Sequence, residues 1–253
     1  MLCFDFDSTI VFSETYGIDN TMLYTCKSTK QLLYSTNTTI DLLNSISHAG
    51  IELVLVTARK FKDINTFNIF KEINVKYYIC SLGYEIYVNN KLDEDWATHC
   101  KNKEKNLDVN KVIHILEKYN SFISRLKIIS SGYIHVSLDK QLTKTELSEI
   151  ELKLYECGYS LKYNSKVLKI LSIDINKGQA VKYLKNKYLL TTSKIYGIGD
   201  DLIDLDFLNI CDYALVPKNS NLYYLNKFKS TNNSGILSTN EMLSCILEDI
   251  LNK

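Results

Sequence analysis

Short, largely apolar runs alternate with longer amphipathic stretches toward both ends of the chain. Leu2 to Phe6, Ile51 to Val56 and Tyr77 to Cys80 have the length and composition of buried strands, while Lys30 to Ala49 and Lys62 to Glu72 carry apolar residues at helical spacing. After Lys177 the rhythm resumes. Gln179 to Tyr188 reads as a helix, Ser193 to Ile198 as a strand, Asp204 to Ile210 as a helix, Tyr213 to Val216 as a strand and Glu241 to Leu251 as a closing helix. Such βαβ alternation predicts one α/β sheet of parallel strands assembled from both ends of the chain.

The middle follows another pattern. Tyr84 to Asn89 reads as a strand before a turn, and Arg125 to Leu138 alternates around a Ser-Gly break. Val112 to Tyr119 and Lys144 to Tyr155 read as helices, and Ser165 to Ile175 as extended chain. This predicts a small α+β unit with an antiparallel sheet. The Lys-rich stretch Lys101 to Lys105 reads as a solvated loop.

Length and charge sharpen this picture. The 253 residues suit one large domain or two modest ones, and 45% of them are apolar. Thirty Lys and Arg against 29 Asp and Glu leave a net charge of +1, which argues against nucleic-acid and anionic-membrane partners. No apolar run approaches the ~20 residues of a membrane span, and two aspartates interrupt the N-terminal segment where an export signal would be uniformly apolar. The seven cysteines are scattered, without metal-ligand spacing, so a soluble cytoplasmic protein with reduced thiols is expected.

Chemistry in an open parallel sheet collects beyond the carboxyl ends of the strands. The first run supplies Asp5, Asp7, Ser8 and Thr9, the second Thr57 and Arg59, the segment SIDINKG Lys177, and IYGIGDDLID Asp200, Asp201 and Asp204. Asp5 and Asp7 are two apart, a spacing that sends both side chains to one side of a strand. Two carboxylates that close resist joint ionisation unless a cation or a proton lies between them. Asp200 and Asp204 are one helical turn apart, and hard oxygen ligands from two strand ends suit Mg²⁺. Capping of a helix start accounts equally well for the second pair taken alone.

Taken together, the motifs are more specific. DFDST at Asp5 to Thr9, LVLVTAR ending at Arg59, INKG at Lys177 and GDDLID at Gly199 to Asp204 resemble, in order, the four motifs of the haloacid dehalogenase superfamily of aspartyl-phosphate phosphatases. The interval between the second and third motifs is where one subgroup inserts an α/β cap, and NNSGI near Asn233 resembles that subgroup's closing segment. The resemblance implies a Rossmann-like parallel-sheet core of residues 1–86 and 170–253 with an inserted α+β cap at 87–169. Ser8 replaces a usual Gly, Ile203 an Asn that commonly precedes the last acid, and Leu82 an Asn before Gly83.

The same resemblance implies roles. Asp5 is the nucleophile, and Asp7, held near neutral by its site, is the general acid and base. Thr57 and Lys177 hold the non-bridging phosphate oxygens, Ser8, Thr9 and Arg59 contact substrate or phosphate, and Asp204 orients Lys177 or a metal-bound water, with Asp201 supporting. One Mg²⁺ is bound by Asp5, Asp200 and the Asp7 backbone. The expected activity is hydrolysis of a small phosphorylated metabolite, a sugar phosphate. A phosphomutase is the nearest alternative; it needs a basic cap surface, and Arg125 is the only arginine of the insert. A non-catalytic phosphate-binding regulatory module is the other. Tyr133 and His135 lie on an insert strand and read as structural residues. No broad basic surface is expected.

Overall fold

The computed structural model describes residues 1–15, 18–164, 166–188 and 194–252. Two compact units emerge, one of Met1–Asp93 with Lys177–Lys253, the other of Glu94–Asn176. The first segment of unit 1 contains β1 (Leu2–Phe4), β2 (Leu23–Lys27), β3 (Leu32–Thr36), α1 (Asn37–His48), β4 (Leu53–Val56), α2 (Phe61–Ile64), β5 (Tyr77–Cys80), β6 (Glu85–Val88) and β7 (Lys91–Leu92). Unit 2 contains α3 (Glu94–Glu104), α4 (Val109–Glu117), β8 (Ile123–Ser130), β9 (Tyr133–Leu138), α5 (Lys144–Glu156), β10 (Tyr159–Asn164) and β11 (Val167–Ser172). Unit 1 resumes with α6 (Lys177–Tyr188), β12 (Tyr196–Ile198), α7 (Leu205–Leu208), β13 (Tyr213–Val216), β14 (Lys229–Ser230) and α8 (Ile236–Leu251).

Eight strands of unit 1 form one sheet in the order β14-β13-β12-β1-β4-β5-β6-β7. From β14 to β5 all neighbours run parallel, and β6 and β7 close the edge antiparallel. Phe4 lies opposite Leu55 of β4 and Ile198 of β12, so the residues just beyond these three strands emerge at the same sheet end. Leu2, Phe4, Leu53, Leu55 and Ile198 are at most 1% exposed and join Leu43, Ile46, Leu243 and Ile246 of α1 and α8 in one apolar cluster. That burial is the reason their sequence shows near-continuous apolar runs and not alternation.

Several expected elements differ. The expected helix from Lys30 starts only at Asn37, because Leu32–Thr36 pairs with Leu23–Lys27 in an antiparallel hairpin and the Thr36 hydroxyl then accepts from the Thr39 N–H, capping α1. Lys62 to Glu72 breaks into α2 and a 3₁₀ turn at Asn68–Lys71. There the Asn68 side chain is taken by the hairpin backbone at Lys27 N–H and Thr25 C=O. Lys101 to Glu104, expected as loop, forms the last turn of α3, where cations meet the helix's negative end. Where a helix is expected over Asp204 to Ile210, a 3₁₀ turn at Leu202–Asp204 leads into the short α7, which ends at Leu208. Ser165 and Ser193, expected to open strands, lie outside the described residues.

In unit 2 the sheet order is β10-β11-β9-β8, antiparallel throughout. One face is apolar: Ile134, Val136, Leu168 and Ile170 are at most 1% exposed and cluster with Val112, Leu116, Ile150 and Leu154 of α4 and α5. The unit boundaries fall at 93/94 and 176/177, each seven residues beyond the expected 86/87 and 169/170. β6 and β7 extend the unit 1 sheet, which holds residues 87–93 there. β11 is paired on both sides within unit 2, which holds 170–172 there. All seven cysteines are free thiols. Among the described residues no helix is long and apolar enough to cross a membrane.

Candidate active site

Asp5 immediately follows β1, and its N–H donates to Ile198 C=O at 3.0 Å, so the strand pairing still holds its backbone. Its side chain meets Lys177, the first residue of α6, with Nζ 2.5 Å from Asp5 Oδ1 and 2.6 Å from Asp204 Oδ1. Lys177 is 1% exposed and Asp204 fully buried. The second Asp204 oxygen accepts from the Asp200 and Asp201 N–H groups, both at 3.0 Å. Asp201 in turn accepts from Ile203 N–H, closing the turn. Asp204 is thereby locked between its own loop and the lysine. Gly199 makes this possible, because a Cβ there would lie 2.8 Å from Asp204 Oδ2 and 2.9 Å from its Cβ. Gly199→Ala is expected to lower stability by about 1–3 kcal/mol, as overpacking does, and to reduce turnover with it. Urea unfolding and steady-state kinetics on one preparation check this; unchanged values in both would refute the packing argument.

One oxygen from each of Asp5, Asp200 and Asp204 lies within 4.8 Å of the others. Three carboxylates face one ammonium there, an excess of two negative charges when all are ionised. Burial pushes the Asp5 carboxyl well above the usual range, with Asp204 and Asp200 adding to it against the pull of Lys177. Burial likewise raises Asp200 to about 7, with Asp204 the next cause. For Lys177 burial opposes the charge, yet Asp204 and Asp5 outweigh it and raise the ammonium above its ordinary value. A hard divalent cation fits this donor set. Asp204 has both oxygens engaged, whereas Asp5 uses only Oδ1 for Lys177 and Asp200 only Oδ1 for Thr9, at 3.0 Å. Among the described residues no hydrogen bond reaches the other oxygen of Asp5 or Asp200, which leaves the Asp200 oxygen for a cation and the Asp5 oxygen open at the end of β1.

Other expected site residues are placed differently. Asp7, expected near neutral, is clamped by Arg59 in a bidentate pair, Nε to Oδ2 at 2.7 Å and Nη2 to Oδ1 at 2.5 Å. Both carboxylate oxygens of Asp7 are thereby engaged by one guanidinium. Arg59, expected on phosphate, is spent on Asp7 and on Gln31 Oε1 at 2.6 Å, with its guanidinium over the Phe6 and Phe67 rings. Gln31, from the turn between β2 and β3, carried no signal in the sequence. Thr9, expected on substrate, is fully buried; its hydroxyl orients Asp200 and its C=O accepts from Thr239 at 2.5 Å.

Thr57 immediately follows β4, is 1% exposed, and its Oγ1 accepts from Arg59 N–H. Its C=O accepts from Leu82 N–H and the Arg59 C=O from Ser81 N–H, so the loop after β5 holds the loop after β4. That support is strained: Ser81 and Leu82 have φ of 53° and 61°, left-handed values that explain why Asn is the subgroup's usual residue before Gly83. Ser8 is exposed at φ 57°, which likewise explains the Gly usual there. Beside Ser8 opens a cavity of about 460 Å³ lined in part by Ser13, Glu14, Asn219 and Ser234.

Residues 14–251 match the model of the sucrose-6F-phosphate phosphohydrolase family. The chain belongs to that family. It is a family of phosphoric monoester hydrolases with the haloacid dehalogenase fold, in keeping with the four motifs. No curated protein matches the sequence. Among solved structures, the sucrose-phosphatase from Synechocystis sp. PCC6803, in complex with sucrose and phosphate, is 17% identical with a TM-score of 0.65, covering 100% of this chain and 97% of that one. A haloacid dehalogenase-like hydrolase from Bacillus subtilis is 17% identical at TM-score 0.58, covering 100% and 92%. A sugar phosphatase of haloacid dehalogenase subclass IIB is 12% identical at TM-score 0.58, covering 98% of each chain. At these identities the likeness speaks for the fold that sucrose-6F-phosphate phosphohydrolases share.

Proposed function

We propose that the chain hydrolyses the phosphomonoester of a sugar phosphate through an aspartyl-phosphate on Asp5. The observation that carries this reading is the Lys177 bridge, which pins one Asp5 oxygen while leaving the other without a partner at the end of β1. Asp5 attacks phosphorus with that open oxygen and displaces the sugar alcohol, splitting one hydrolysis into two displacements. Mg²⁺ held by Asp5, Asp200 and the Asp7 backbone carbonyl would neutralise the repulsion between carboxylate and phosphate. Lys177 and Thr57 stabilise charge spreading onto the non-bridging oxygens. Asp7 accepts a proton from the water that attacks the aspartyl-phosphate, its plane fixed by Arg59. Donation of a proton to the leaving oxygen requires Arg59 to release it first. The polar cavity beside Ser8 suits a sugar leaving group, with Glu14, Asn219 and Ser234 matched to hydroxyls.

The test is hydrolysis of an aryl phosphate and of a set of sugar phosphates with Mg²⁺ and after its chelation. Phosphate release that depends on the cation is expected; no release from any of them in the native chain would overturn the reading. A phosphomutase remains the second reading, since one face of the insert's sheet carries a basic row, Lys127, His135, Lys169 and Lys162 in register across its four strands, with Arg125 beside it. Isomerised product in the presence of a bisphosphate activator would select it.

A further inference from the structure

Asp7 and Arg59 form an unequal pair. The Arg59 side chain is 21% exposed and that of Asp7 46%, and among the described residues the Asp7 carboxylate has no hydrogen-bond donor but Arg59. Arg59 has other holds. Its guanidinium lies 5.5 and 5.3 Å from the Phe6 and Phe67 ring centres, and Nη1, the nitrogen that Asp7 does not use, donates to Gln31 Oε1 at 2.6 Å. A guanidinium carries donors only, so the Gln31 amide must present its oxygen. If Asp7 turns away, the arginine keeps a hydrogen bond and two aromatic faces. If Arg59 moves instead, the Asp7 carboxylate loses both of its hydrogen bonds.

The place of Gln31 in its turn fixes where that hold lies. Its C=O accepts from Ser28 N–H and its own N–H donates to Ser28 Oγ, both at 3.0 Å, which closes the chain between β2 and β3. Asn68 fastens the hairpin on the β2 side. On the β3 side Tyr34 and Phe12 exchange N–H and C=O hydrogen bonds, 2.8 Å each way, so the hairpin that carries Gln31 is tied to the segment that follows Asp7. The Gln31 side chain is exposed, and the contact to Arg59 is its directed one. Gln31 and Arg59 border a depression of about 190 Å³, which gives the guanidinium room to withdraw from Asp7 without leaving Gln31.

We propose that Gln31 is a positioning residue for departure of the leaving group: it retains Arg59 while Asp7 turns from the guanidinium to the leaving oxygen. The proposal rests on the phosphatase reading above and adds a residue to it. As the P–O bond breaks, its electron pair stays on the leaving oxygen, which takes the Asp7 proton. Asp7 recovers a proton from the water that attacks the aspartyl-phosphate, so the cycle closes. Without Gln31 the guanidinium follows Asp7, and the carboxyl is no longer presented in line with the leaving oxygen. The loss then falls on leaving groups that need the proton.

The experiment compares phenyl phosphate with 4-nitrophenyl phosphate on the full chain with Mg²⁺. The two esters are close in shape, but 4-nitrophenolate leaves readily without a proton and phenolate does not. In Gln31→Met, kcat/KM is expected to fall about tenfold for phenyl phosphate and about twofold or less for 4-nitrophenyl phosphate, part of what a positioned acid supplies. Gln31→Glu keeps an acceptor in place and restores most of the phenyl phosphate rate. A merely structural role moves both esters together, so equal losses overturn the proposal, as do unchanged values or a Gln31→Glu variant as slow as Gln31→Met. A second readout needs no turnover. The chain has two arginines, so isotope-labelled arginine gives two Nε–H resonances, and the one kept in Arg125→Lys belongs to Arg59. Its exchange with water is expected to quicken about fivefold or more in Gln31→Met, as local opening becomes easier. Quickened exchange with no phosphate released from either ester by the native chain refutes the phosphatase reading and leaves the hold on Arg59 standing. Phosphate release with both esters equally affected and exchange unchanged overturns the role of Gln31 alone.

Discussion

Lys177→Met is expected to produce the largest loss of stability of any single substitution in the site, about 3–5 kcal/mol, together with loss of turnover. Met has nearly the length of Lys, so the change removes charge and three donors without opening a large cavity. What remains is Asp5 and Asp204, 7% and 0% exposed, with the 2.5 and 2.6 Å contacts to Nζ gone. Each carboxylate must then protonate or stay charged and unpaired in a buried site, and either outcome costs free energy that the native ion pairs offset. Asp204 also orders the Asp200 and Asp201 N–H groups, so the damage spreads to the Asp200 side of the cation site. Urea unfolding of both proteins measures it. A midpoint within error of the native one would mean that the buried triad contributes nothing, and the electrostatic account of the site would fail. The double variant Lys177→Met with Asp5→Asn is expected to regain part of the loss, because it removes one of the two stranded charges.

Asp5→Asn should have the opposite signature, with activity lost and stability gained. Without the nucleophile, turnover falls by about 10⁴-fold or more, the scale seen when a covalent nucleophile is removed. Stability rises because the substitution reduces the buried excess of negative charge from two to one while leaving Lys177 paired with Asp204. A gain of about 0.5–2 kcal/mol is the usual range for relieving a strained functional site. The gain belongs to the cation-free protein. Added Mg²⁺ stabilises the native chain by mass action and does so much less in the variant, which has lost a ligand. Thermal unfolding with and without Mg²⁺ distinguishes these results. Undiminished hydrolysis in Asp5→Asn would remove Asp5 from the chemistry, and a lowered midpoint would refute the charge-excess argument.

Both expectations rest on residues that were readable in advance. Asp5, Asp200, Asp204 and Lys177 each follow or open an apolar run, and a parallel sheet forces such residues to one end. The parallel core was legible for the same reason: strands buried on both faces leave no ambiguity between the two sides. Shorter polar segments were less legible. Leu32 to Thr36 satisfies a helical spacing as well as a strand, and only its pairing with Leu23–Lys27 selects the strand. Lys62 to Glu72 was helical in pattern, but a tertiary hydrogen bond from Asn68 outcompeted the helix.

The sequence by itself determined the fold class and the four motifs, and it singled out the residues proposed to carry phosphoryl-transfer chemistry, because burial and strand ends leave a one-dimensional trace. Only the tertiary structure decided how those residues are paired. Asp7 and Arg59 lie 52 positions apart, and their contact assigns both a different partner from the expected one. The same holds for the basic row, whose members at 127, 135, 162 and 169 are unremarkable in order and become a surface only through strand register. Charge interactions depend on distance in space and on the water removed between partners. Neither quantity is written in composition or spacing, so the near-zero net charge concealed a concentrated cationic face on one unit and a buried acidic cluster on the other.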